Sequence, residues 1–134
     1  MIGAELENLG ALQDFVGARL EDCPLEIRNQ IGIVVDEVFS NISRYAYSRP
    51  AGGVAVRIAV DGNITIEFED SGVAFNPLDR NEPDVSLPAE EREFGGLGIF
   101  IVRNIMDLIE YRREGNKNIL TMLKENRYVI SESA

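Results

Sequence analysis

A chain of 134 residues with 45% hydrophobic content suits one domain with a real core, and a net charge of −10 argues against nucleic acid as a general partner, since phosphates demand a basic footprint. The absence of histidine removes Ser-His-Asp and Cys-His catalysis and the commonest zinc sites, leaving carboxylates, hydroxyls, backbone amides or a hard metal ion for any chemistry. The single Cys23 cannot close an internal disulfide, no apolar run approaches the ~20 residues of a membrane span, and MIGAELENLG lacks a basic leader before an apolar core, so a cytoplasmic address without membrane association is expected.

Residues 8 to 22 predict a first helix, with Asn8 as N-cap and Leu9, Leu12, Phe15, Val16 and Leu20 on its inner face. Cys23 reads as a small filler at its end, with nothing nearby to lower the thiol pKa. Beyond Pro24, the stretch 27 to 47 places Ile27, Ile31, Val34, Val35, Val38, Ile42 and Tyr45 at the helical period, which makes a long helix with one buried stripe. Glu37 and Asn41 stand one turn apart against that stripe and so lie side by side. A carboxylate and an amide pointing the same way offer a proton acceptor and a metal or phosphate ligand.

The turn at Pro50 to Gly53 changes the period from helical to alternating. Val54, Val56, Ile58 and Val60 then share one face of a strand, and Asp61-Gly62-Asn63 signals a tight hairpin. In the return strand Ile64, Ile66 and Phe68 share a face, and parity puts Asp70 on that apolar side at the mouth of the core. Gly72 follows, where a glycine lets the backbone turn sharply next to the acid. Residues 76 to 94 hold three of the five prolines and many charges, and form a long loop. It closes on Gly95-Gly96-Leu97-Gly98, which opens a third helix, IFIVRNIMD, apolar around much of its circumference. Two strands, LIEYRRE and NILTMLK, follow around Gly115-Asn116-Lys117, and RYVISESA is a tail.

This order predicts an α+β fold in one domain spanning residues 1–134. It is a two-layer α/β sandwich, with three helices on one face of a mostly antiparallel four- to five-stranded sheet. The other sheet face would carry Arg57, Thr65, Glu67 and Glu69 and stay partly open. Three features are candidates to converge: Glu37 with Asn41, Asp70-Ser71-Gly72 at a strand end, and the glycines before the third helix. Each has a bland counterpart in a solvated helix edge, an ordinary turn or a helix start. Glycines that expose amides at a helix N-terminus do, however, favour phosphate.

Together, E-x-x-x-N at 37–41, D-x-G-x-A-F at 70–75 and G-G-L-G-I-F-I-V at 95–102 resemble the ATP-binding Bergerat fold of the GHKL superfamily. The small size and VVDEVFSNISRYAY look like the bacterial anti-sigma-factor serine kinases within it. The resemblance implies ATP and Mg²⁺ as cofactors, with Asn41 as the Mg²⁺ ligand and Glu37 as the base that accepts the proton of a substrate serine. It implies that Asp70 accepts a hydrogen bond from the adenine amino group, with Gly72 and Ala74 beside the base. Gly95, Gly96, Leu97 and Gly98 would cradle the phosphates, and residues 76 to 94 would be the ATP lid. The implied partners are proteins, a sigma factor and a STAS-type antagonist, together with homodimerisation, and docking is expected around Arg19 and Arg28.

The chain departs from the family pattern at four places. Tyr45 stands where close relatives place His, and Phe94 where some place a lid arginine, with Arg92 the nearest substitute. Asn118-Ile119 replaces a common Gly-Thr pair, which leaves Thr121 as the nearby hydroxyl for a nucleotide contact. The family's first strand is short or missing at Met1 to Ala4. The alternative to a kinase is a non-catalytic ATP-binding module or switch that uses the same site. The ATP-binding half of a histidine kinase ranks below both, because no phosphoacceptor helix and no histidine is present.

Overall fold

The structure is a computed structural model that describes residues 2–3, 6–46, 52–79 and 96–125, with the backbone alone at 45, 46, 79, 96 and 97. A two-residue strand, β1 (Ile2–Gly3), leads through a short 3-10 turn into α1 (Leu9–Arg19). Helix α2 (Leu25–Asn41) passes directly into a π-helical turn, Ile42–Ala46. Strands β2 (Gly53–Asp61) and β3 (Asn63–Asp70) form a hairpin, α3 spans Gly96–Ile105, and β4 (Leu108–Glu114) with β5 (Lys117–Lys124) closes the described fold.

The five strands make one antiparallel sheet in the order β1-β2-β3-β5-β4. The last hairpin inserts β5 beside β3, so the two strands that carry Asp70 and Asn118 are direct neighbours and those residues pair across the ladder. Both hairpin turns use left-handed glycines, Gly62 at φ 93° and Gly115 at φ 58°, where a Cβ would be strained. The first strand, expected to be short or missing, is short and pairs with β2 through Ile2 and Gly3.

Alternation puts Val54, Ile64, Ile66, Phe68, Leu120 and Met122 on the face that meets the helices, all buried with Leu12, Val16, Leu20, Ile31, Val34, Val35, Val38, Phe39 and Val102. The expected α2 stripe is buried as read at Ile27, Ile31, Val34, Val35, Val38 and Ile42. Phe39, which that reading passed over, is among the largest fully buried side chains. The opposite sheet face carries Arg57 ion-paired to Glu67 at 3.3 Å and to Glu69 at 3.4 Å, with Lys117 at 3.3 Å from Glu69. Such exposed pairs contribute about 0–1 kcal/mol each. The Lys117 ammonium, aided by Arg57, holds the Glu69 carboxyl below its ordinary range.

Several details differ from the sequence reading. Helix α1 is shorter than 8 to 22, and Asn8 occupies its N-cap position without capping it. The Asn8 amide donates instead to the Gly3 carbonyl at 3.0 Å, tying β1 to the helix start. Phe15 is 40% exposed, at the margin of the α1 face that meets the sheet, where it lines a cavity with Leu12, Ile2, Val54 and Val56. Its ring lies under the Arg19 guanidinium, 4.9 Å from the centroid. Val60 is exposed as well, at the end of β2 that the short β1 does not pair with. Cys23 is buried as expected, and burial, then the Asp22 charge, pushes its thiol up from the ordinary value. The tail, most of the proposed lid and the Tyr45 side chain lie outside the described residues.

Candidate functional site

The site lies where the C-terminal end of α2, the ends of β3 and β5 and the start of α3 meet. One cavity there is lined by Val38, Asn41 and Ile42 from α2 and its π turn, Phe68 and Asp70 from β3, and Phe75 and Pro77 beyond it. Ile99 of α3, Tyr111 of β4 and Asn118 and Leu120 of β5 complete the wall. The lining is mostly apolar with a few convergent polar groups, the usual composition of a small-molecule site.

Asn41 is 4% exposed and its side chain makes no hydrogen bond among the described residues. The amide sits at the last α-helical residue, where the ladder widens into the π turn, a local distortion common at functional positions. Buried polar groups are ordinarily paired, so an amide left open on a cavity is available to a ligand. Glu37, one turn earlier, is half-buried. Its carboxylate lies against Gly98: a Cβ on that glycine would meet Oε2 and stand 3.1 Å from the carboxyl carbon. Burial pushes the Glu37 carboxyl above its ordinary value, the neighbouring Asp36 charge adds to this, and Arg44 opposes it. A base raised this way holds a proton more readily than a solvated glutamate does.

Asp70 is 5% exposed, on the core side that parity predicts. Its Oδ1 accepts from the Gly72 amide at 2.9 Å and from Asn118 Nδ2 at 2.9 Å. The first bond closes an Asx turn. Gly72 has no left-handed φ, so the sharp turn expected from glycine is made by the Asp70 side chain instead. Ala74 is exposed in the loop that follows and does not line the cavity.

Gly96, Leu97 and Gly98 form the first turn of α3, not a loop ahead of it, and Gly95 lies outside the described residues. The first turn of α3 therefore lies beside Glu37, and the amides of such a first turn have no partner within the helix. At the other end of α3, the Lys124 ammonium donates to the Ile105 carbonyl at 2.9 Å, which suits the negative pole of the helix.

Thr121 is a correction. It faces the open side of the sheet, where its hydroxyl donates to Glu67 Oε2 at 3.3 Å, because strand parity sends 118, 120 and 122 inward and 121 outward. Asn118 is the polar residue of β5 that reaches the cavity, beside Leu120, and the sequence reading missed it as a site residue. The signal was present: Asn118 is a polar residue in step with Leu120 and Met122, just as Asp70 is in step with Phe68. Arg19 and Arg28, expected at a docking surface, are both exposed.

A family model, the histidine kinase-like ATPase domain, matches residues 2–124. The chain belongs to that family. Among curated proteins it is similar to the serine-protein kinase RsbW of Bacillus thuringiensis, 29% identical over 93 residues that make up 66% of this chain and 58% of that one. It is also similar to the serine/threonine-protein kinase BtrW of Bordetella bronchiseptica, 25% identical over 84% of this chain and 75% of the relative. The chain thus spans little more than half the length of RsbW. Among solved structures it resembles the Acinetobacter baumannii histidine kinase AdeS, with TM-score 0.52 and 26% identity over 75% of this chain and 47% of that one. The blue-light activated histidine kinase of Erythrobacter litoralis EL346 shares the fold, at TM-score 0.63 and 22% identity over 97% of this chain and 43% of the other. The GHKL-type, α+β architecture expected from the motifs is therefore the architecture of this ATPase domain. Among the described residues no helix is long and apolar enough to cross a membrane.

Proposed function

We propose that residues 1–134 form one cytoplasmic domain that binds Mg·ATP and phosphorylates a serine of a STAS-type anti-sigma-factor antagonist, while holding a sigma factor inactive as a homodimer. The carrying observation is the convergence of Asn41 and Asp70 on one cavity, with Glu37 against Gly98, each next in the chain to a lining residue, Val38 and Ile99. Asp70 Oδ2 accepts no hydrogen bond among the described residues and suits the amino group of adenine, while Phe75, Ile99 and Leu120 suit its faces. The first turn of α3 suits the phosphates. Asn41 fits Mg²⁺ as a single oxygen ligand, since this hard ion takes one or two protein oxygens and draws the rest from phosphate and water. No group of three His, Cys, Asp or Glu among the described residues offers a full protein cage.

When bound, the metal supplies charge neutralisation at the phosphates. Glu37 is placed to accept the serine proton as the serine oxygen forms its bond to the γ-phosphorus and the bond to the ADP oxygen breaks. The similarity to serine-protein kinases supports this role over phosphorylation of histidine, which this chain does not contain. Incubation with labelled ATP and the cognate antagonist tests it, and absence of serine phosphorylation at any pH would sink the kinase reading. Phe94, in place of a lid arginine, favours the second reading, a nucleotide-binding switch without transfer. That reading wins if Glu37→Ala leaves every cellular output intact while Asp70→Asn abolishes it.

A further inference from the structure

Asn118 stands at the centre of a polar cluster that closes the Asp70 end of the cavity. Its Nδ2 donates to Asp70 Oδ1 at 2.9 Å and to the Val73 carbonyl at 2.8 Å. Its Oδ1 accepts from the Tyr111 hydroxyl at 2.5 Å, Arg113 Nη1 at 3.0 Å and the Phe75 amide at 3.3 Å. A guanidinium and a backbone amide can only donate, and a carbonyl and an ionised carboxylate only accept. One orientation of the Asn118 amide satisfies all of these partners, and the flipped one sets donor against donor and acceptor against acceptor. Arg113 Nη1 also donates to the Gly72 carbonyl at 2.9 Å, so the turn after β3 and the β4–β5 hairpin are bound into one ring.

This cluster determines what the cavity displays. Both amide hydrogens of Asn118 are used and its oxygen is saturated, so it offers a base nothing of its own. Arg113, occupied by Asn118 and Gly72, is kept from turning toward the cavity. The carboxylate of Asp70, whose terminal torsion is intrinsically soft, is pinned through Oδ1 and leaves Oδ2 as a pure acceptor. We propose that Asn118, held by Arg113 and Tyr111, is a positioning residue that sets base selectivity, favouring a purine with an exocyclic amino group over one with an oxo group at that point. This rests on the reading of the cavity as a nucleotide site. Without Asn118 the carboxylate is held through the Gly72 amide alone and turns more easily, and Arg113, tied only to the Gly72 carbonyl, can meet an oxo group, so discrimination falls.

Calorimetric titration of the full chain with ADP and with GDP, each with Mg²⁺, tests this on wild type, Asn118→Leu, Arg113→Gln and Tyr111→Phe. The expected result is a ratio of ADP to GDP affinity about tenfold lower in Asn118→Leu, the order of one hydrogen bond to a charged group, with smaller falls in the other two. A purely structural role would lower the melting temperature of the nucleotide-free protein and leave the ratio alone. An unchanged ratio in folded Asn118→Leu overturns the proposal. If that variant does not fold, an unchanged ratio in both Arg113→Gln and Tyr111→Phe does so. Wild type that binds neither nucleotide overturns the nucleotide reading itself, a separate and recognisable outcome.

Discussion

At the scale of single residues, the site depends on a few polar groups set against apolar walls. In Asp70→Asn, Oδ1 keeps its bonds from Gly72 and Asn118 while the open Oδ2 position becomes a donor. ADP affinity should fall about 10- to 100-fold, the range for losing a hydrogen bond to a charged group, with little change in the melting temperature of the free protein. Titration calorimetry beside a thermal melt separates the two effects. For Glu37 the sign follows from its raised carboxyl. Protonation is favoured in the folded state, so its stabilising contribution is full below the ordinary value of 4.5 and is lost as pH rises through the folded pKa. Glu37→Gln should therefore be more stable than wild type at neutral pH, and the difference should vanish below pH 4.5, as denaturant unfolding across pH would measure. A difference that grew as pH fell would contradict the burial argument. Asp70 was legible at this scale because strand parity is local; Asn118 carried the same signal in the last strand.

At the scale of elements, α2 and α3 meet through a glycine. In Gly98→Ala the new Cβ meets the Glu37 carboxylate, the far end of a flexible side chain that can swing aside. Alanine also favours the helix over glycine by about 0.5–1 kcal/mol. Stability should hold or rise slightly while phosphoryl transfer falls, a split that melting and a labelled-ATP assay would reveal. Phe39→Ala, by contrast, opens a cavity beneath α2 where the ring is fully buried, and should cost about 3–5 kcal/mol by denaturant titration. The helical period made the α2 stripe readable as far as Ile42, just past the point where the backbone changes to a π turn. Periodicity reports which side is buried, not the pitch of the last turn, so that transition at Asn41 was invisible in the sequence.

For the whole molecule, ligand and stability are linked. Mg·ATP at 100 times its dissociation constant should raise stability by about 2.7 kcal/mol, and a thermal shift that disappears on chelation of the metal checks both cofactors together. No shift with nucleotide would count against the pocket assignment. The net charge of −10 places any anionic ligand in a repulsive overall field, so the local first turn of α3 has to supply the favourable potential.

What the sequence alone determined was local: which stretches are helix or strand, which side of each is buried, and the three spaced motifs that mark the ATPase family. Alternation placed Asp70 inward, and helical spacing placed Glu37 beside Asn41, because those periods follow from backbone geometry. Only the tertiary structure decided which distant residues share the site. The insertion of β5 beside β3 set the register that brings Asn118 to Asp70 and turns Thr121 to the opposite face. Register between strands some fifty residues apart in the chain is fixed by the packing of the whole sheet under its helices, and no short window of sequence contains it.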